Sequence, residues 1–117
     1  MHKHTISFRN AFRGIWTAII TQANVRIHVA IASLVLILAV YLHMPIAEIL
    51  DLIIMISLVL LAEMINTSIE FLADAVTLEH NELIKHAKDV AAGAVLITAI
   101  FSAIVGMVIF VPKLFPL

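Results

Sequence analysis

Twenty-two consecutive residues without a formal charge, Val90 to Val111, narrow the possible folds of this chain more than any other stretch. As a helix they span about 33 Å, enough to cross a bilayer core of about 30 Å. Two further apolar runs stand before them. Ile27 to Leu42 is 16 residues, or about 24 Å of helix, which is short unless Arg26 snorkels or the helix begins earlier. The uncharged run Leu52 to Ala62 lies inside a longer helical stretch, Ile46 to Asp74. His43-Met44-Pro45 separates the two and reads as a tight turn, since proline suits a helix start and drives the preceding residue out of helical geometry. Pro112 is expected to end the last helix. The pattern predicts an all-α membrane protein, one domain over 1–117, with membrane helices at about 27–42, 46–74 and 88–111.

Composition agrees. Of the 117 residues, 63% are hydrophobic, against about 45–50% in a soluble domain. Cysteine is absent, which excludes disulfides and thiolate metal sites. The glycines, Gly14, Gly93 and Gly106, are far apart, so the chain has no phosphate-cradling glycine loop and no dinucleotide fingerprint. The start, MHKHTISFRNAFR, does not read as a signal peptide. Residues 5–25 read as an amphipathic helix instead, with Phe8, Phe12, Ile15, Trp16 and Ile19 at spacings of three and four and Arg9 and Arg13 off that stripe. Such a helix lies in the membrane interface with its aromatic residues toward the acyl chains. His2 and His4 fit a flexible terminus better than a metal site.

Net charge is −1, but the basic residues are unevenly placed. Lys3, Arg9, Arg13 and Arg26 precede the first apolar run, Lys85 and Lys88 lie between the second and third, and Lys113 alone falls on the other side. The positive-inside rule therefore predicts a cytoplasmic N-terminal helix and a cytoplasmic 77–89 loop. No nucleic-acid partner is expected.

Within the second membrane helix stand Glu63, Asn66, Glu70 and Asp74. At about 100° per residue their side chains project within about 80° of one another. A bilayer penalises such groups by a few kcal/mol each, so they face protein or water and often mark function. His86, Lys88 and Asp89 stand at the mouth of the third helix, and antiparallel packing would bring Lys88 and Asp89 near Glu70 and Asp74. Carboxylates and an amide can hold a hard cation such as Mg²⁺, and a lysine supplies a point charge for phosphate. That inventory fits phosphoryl transfer, with Glu63 as acceptor of a lipid hydroxyl's proton. It equally fits a cation- or proton-coupled transporter titrating at Glu63. A structural role, with Glu63 paired to a base and Asn66 joining helices, also stays open.

The stretch Glu63-Met64-Ile65-Asn66-Thr67-Ser68-Ile69-Glu70, then Asp74, then Ala87-Lys88-Asp89-Val90-Ala91-Ala92-Gly93-Ala94-Val95, resembles the signature of the small bacterial integral-membrane diacylglycerol kinases, which include the undecaprenol kinases. Arg13-Gly14-Ile15-Trp16, Asn24-Val25-Arg26-Ile27-His28 and Ile109-Phe110-Val111-Pro112-Lys113-Leu114 extend the likeness over nearly the whole chain, and His28 and the C-terminal run are more similar to the Gram-positive undecaprenol kinase branch. The resemblance implies a homotrimer in the bacterial inner membrane, with a surface helix and three membrane helices per subunit. It implies active sites between subunits and transfer of the ATP γ-phosphate to a lipid hydroxyl, undecaprenol before diacylglycerol. On matching positions Glu63 resembles the catalytic base and Glu70 a ligand of the nucleotide-bound Mg²⁺. Asn66 and Asp74 line the site, Lys88 and Asp89 resemble the nucleotide-contacting pair, and Glu79, His80 and Asn81 occupy the loop that approaches the nucleotide. Asn24 and His28 are candidates for the lipid side, as is Trp16, which reads more simply as an interfacial anchor.

One position departs from the family pattern. Many members carry a second metal-binding glutamate where this chain has Gln22. The glutamine carbonyl can still ligate Mg²⁺ but removes a negative charge, so weaker or differently tuned metal binding is expected, with a catalytically degenerate subunit as the alternative. Gln22→Glu is expected to lower the Mg²⁺ concentration for half-maximal activity, and superimposable Mg²⁺ curves for the two proteins would reject the idea.

Overall fold

The computed structural model describes residues 7–116 as four helices: α1 Phe8–Thr21, α2 Ala23–Tyr41, α3 Ile46–Val76 and α4 Glu82–Leu114. His2, Lys3 and His4, and the first two residues of the predicted 5–25 helix, lie outside the described residues.

α1 starts where Ser7 accepts a hydrogen bond from the Asn10 amide at 3.4 Å, satisfying one of the first-turn donors a helix leaves open. It ends at Thr21 rather than 25, because Gln22 is extended (φ −118°, ψ 112°) and turns the chain. α2 begins at once, at Ala23. Arg26 makes this break possible. Its guanidinium donates to the Ile19 carbonyl at 2.7 Å and the Ile20 carbonyl at 3.2 Å, covering the free acceptors at the end of α1. Starting four residues before the predicted Ile27, α2 has 19 residues, or about 28 Å, which removes the shortfall in length.

The α2–α3 connection is a Schellman turn. His43 takes the left-handed conformation (φ 54°), its amide donates to the Val40 carbonyl at 3.0 Å, and the Met44 amide reaches back to the Ala39 carbonyl at 3.1 Å. Met44 is thereby turned inward against Ala39, Leu52 and Ile109, the core cluster. Pro45 stands one position ahead of α3, as its N-cap.

α4 corrects two sequence expectations. It starts at Glu82, six residues before 88, because the Asn81 side chain accepts from the Leu83 and Ile84 amides at 3.0 and 3.2 Å and caps it. Most of the predicted 77–89 loop is therefore helix, and only 77–81 connects α3 to α4. At the far end the helix runs past Pro112 to Leu114. Pro112 lies in the last turn, where its missing N–H affects one bond, and the turn closes with the Phe115 amide on the Val111 carbonyl at 2.9 Å. Lys113 and Glu48 pair at 2.7 Å, joining the end of α4 to the start of α3, each where its charge favours its own helix dipole.

α3 is the central element. α4 packs along it and α2 lies against it, while α2 and α4 make no close backbone approach to each other. The packing is the reverse of a soluble domain. Few apolar side chains are buried, and large ones such as Leu34, Ile37, Leu96, Ile97, Phe101 and Met107 point outward along the helices. Water does not tolerate contiguous apolar surface on this scale. α2 and α4 are each long and apolar enough to cross a membrane.

Because a non-glycine residue in the left-handed region costs about 1 kcal/mol or more, His43→Gly is expected to raise the thermal unfolding midpoint in detergent. His43→Val, β-branched and intolerant of that conformation, is expected to lower it. Indistinguishable midpoints for all three proteins would show that the turn geometry contributes nothing.

Candidate functional site

The acidic row of α3 is graded in burial. Glu63 is 3% exposed, Asn66 and Glu70 are half-buried, and Asp74 is exposed. Thr67, one turn beyond Glu63, is buried with it. Glu63 is covered from α2 by His28, whereas Asp74, about 16 Å further along α3, has Lys88 of α4 beside it.

Glu63 meets a residue of another helix. His28 Nε2, on α2, lies 3.1 Å from Glu63 Oε1. The approach is close, but the N–H direction is not aligned on the oxygen, and Oε1 is buried without a hydrogen-bond partner. His28 is 26% exposed and stands at the head of a cleft of about 450 Å³ between α2 and α4, floored by α3. The cleft is otherwise apolar apart from Ser102, with Val35, Leu52, Val59 and Phe110 among its walls. A chain of hydrocarbon fits such a space; a nucleotide does not.

Asn66 turns to another side of α3. It lines a groove of about 690 Å³ between α3 and α4, with His86, Ala87, Ala91 and Thr98, and its Oδ1 is buried and unpartnered. Three residues of helix amount to about 60° of rotation, enough to keep Glu63 out of the groove that Asn66 lines.

At the exposed end Lys88 donates to Asp74 at 2.6 Å, so the antiparallel pairing of α3 with α4 brings these two together as expected. Asp89 does not join the row. It accepts from Lys85 at 2.7 Å, one turn back on α4, a pairing whose signal in the sequence is the Lys-x-x-x-Asp spacing. In the connecting segment the Glu79 amide donates to Thr77 Oγ1 at 3.0 Å, His80 and Glu82 pair at 2.7 Å, and Asn81 caps α4. Gln22 sits at the α1–α2 break, its amide 3.4 Å from Thr21 Oγ1. Trp16 is exposed on α1 and Asn24 is exposed in the first turn of α2.

Among the described residues no three His, Asp or Glu side chains converge as a metal cluster, and the side-chain hydrogen bond of Gln22 goes to Thr21. Mg²⁺ does not require such a cluster. It takes one or two carboxylates, with water and substrate phosphate supplying the rest. Glu70, a carboxylate with no ion-pair partner among the described residues, and the neutral oxygen of Gln22 are donors of that hard, oxygen-only kind.

Fold and site together define a lipid-facing helical membrane protein whose buried acid adjoins an apolar cleft, with charged groups gathered at one end. The family description "Prokaryotic diacylglycerol kinase" matches residues 9–110. The chain is 42% identical over 108 residues to the undecaprenol kinase of Bacillus subtilis, covering 92% of this chain and 88% of that protein. It is 40% identical over 113 residues to a diacylglycerol kinase of Synechocystis, covering 96% of this chain and 65% of that protein. The chain belongs to the prokaryotic diacylglycerol kinase family, a family of lipid kinases.

Asn81 carries two assignments, cap and nucleotide loop, and substitution separates them. Asn81→Ala is expected to destabilise the protein by about 1 kcal/mol through loss of the cap. Asn81→Asp keeps the cap, so a raised KM for MgATP in that variant would mark nucleotide contact, and an unchanged KM would leave Asn81 a cap alone.

Proposed function

We propose that the protein transfers the γ-phosphate of MgATP to the primary hydroxyl of a membrane lipid, with undecaprenol as its first substrate and diacylglycerol as its second. The observation that carries this reading is the burial gradient along α3. Glu63, 3% exposed, is set beside an apolar cleft suited to a lipid, and Asp74 meets Lys88 where a soluble nucleotide can reach. By the helical rise the two acids are about 16 Å apart. The relative from Bacillus subtilis, covered over most of its length, favours the polyprenol.

In this reading the Glu63 carboxylate takes the hydroxyl proton as the lipid oxygen bonds to the γ-phosphorus. The bond from that phosphorus to the bridging oxygen breaks, and ADP leaves. Lys88, released from Asp74, offers its ammonium to the phosphates, with Asp89 and the 79–81 segment around the nucleotide. Glu70 and Gln22 would hold Mg²⁺, which neutralises phosphate charge when bound.

The same reading makes α3 a third membrane span, with its uncharged run Leu52 to Ala62 in the hydrocarbon. α1 lies in the interface on the cytoplasmic side of a bacterial inner membrane, with the 77–89 segment on that side as well. A single chain leaves the groove at Asn66 open and keeps Glu63 about 16 Å from Asp74. Both features suit a homotrimer whose sites are completed between subunits.

Purified protein in mixed micelles with labelled ATP and Mg²⁺ is expected to phosphorylate undecaprenol faster than diacylglycerol. Glu63→Gln is expected to be slower by about 10²–10⁴-fold. No labelled lipid from the unmutated protein would sink the kinase reading. A preference for diacylglycerol would reverse the substrate order, and full activity in Glu63→Gln would remove Glu63 as the base.

A further inference from the structure

A buried carboxylate in apolar surroundings needs a donor to fix its orientation. Among the described residues His28 is the one basic side chain within ion-pair distance of Glu63. Along α3, Thr67 is buried one turn from Glu63 but its hydroxyl makes no hydrogen bond to Oε1, Asn66 turns to the α3–α4 groove, and Glu70 and Asp74 are acceptors further out. On α4, Lys88 is held by Asp74 and Lys85 by Asp89. Arg26, the nearest base on α2, is committed to the end of α1. The imidazole is already 3.1 Å away, so a modest rotation of the ring brings Nε2–H onto Oε1.

We infer that His28 is the positioning residue for the catalytic base: its imidazole donates Nε2–H to Glu63 Oε1 and turns the other carboxylate oxygen to the lipid hydroxyl. The inference rests on the kinase reading for its catalytic meaning, but the pair itself does not. His28 also sits on the path of the substrate. It heads the apolar cleft, so a hydroxyl arriving at the end of a hydrocarbon chain in that cleft meets His28, 3.1 Å from Glu63. Position 28 thus acts through Glu63 and does not itself carry phosphate or metal.

Glutamine tests this, because its side-chain amide can offer an N–H in place of Nε2, whereas leucine and methionine fill the space without a donor. His28→Gln is expected to keep kcat within about threefold of the parent. His28→Leu and His28→Met are expected to lose about 10- to 100-fold in kcat, with KM for MgATP unchanged, as a misoriented base would. The second readout needs no activity. The infrared carboxylate stretch that disappears in Glu63→Gln should shift in the two apolar variants and hold its place in His28→Gln. Using both apolar variants covers the case where one of them does not fold. Equal activity of parent and apolar variants, loss in His28→Gln as deep as in the apolar ones, or a carboxylate band indifferent to residue 28 would each overturn the inference. A shifting band in a protein that phosphorylates no lipid would uphold the pair while rejecting the kinase reading.

Discussion

Everything in this molecule leans on α3, a single uninterrupted helix of 31 residues. In apolar surroundings the backbone must satisfy its own hydrogen bonds, and a continuous helix does so without help. That leaves the side chains of α3 free to be chemically demanding. Its first turns carry Glu48 for the pair with Lys113, its middle holds Glu63 against His28, and its end offers Asp74 to Lys88. α2 and α4 are docked to it and not to each other, and the cleft exists because of that arrangement.

Charge is sorted along the same axis. Lys113 and Glu48 mark one end, while Arg26, Lys85, Lys88, Asp74 and Asp89 gather toward the other. Between them the buried acid and its histidine are the notable polar pair. Partly exposed pairs of this kind contribute little stability singly, on the order of 0–1 kcal/mol. Their value lies in register: they fix how far α4 slides along α3 and hence which residues share a level.

The helices, the turn at 43–45 and the polar row were legible because each rests on local pattern: uncharged length, a proline, and a period near 3.6. What depended on a single side chain reaching back to a helix end was not legible. Arg26 capping α1 and Asn81 capping α4 moved two helix starts by four and six residues. The site divides in the same way. Lys88 with Asp74 follows from antiparallel helices joined by a short segment. His28 with Glu63 is a contact between helices, and its only trace in the sequence is that both polar residues stand at comparable distances from the 43–45 turn. The separation of Glu63 from Asn66 hinges on 60° or so of helical phase, finer than a helical-face argument resolves.

The break at Gln22 carries a mechanical consequence. One extended residue joins α1 to α2, and the Arg26 guanidinium bolts the two together across it. The joint has almost no slack, so a tilt of α1 must be taken up as a movement of α2. His28 lies six residues beyond that joint, less than two helical turns away. With α1 in the interfacial position proposed for it, the amphipathic helix is thereby coupled through one residue to the level at which His28 meets the buried acid.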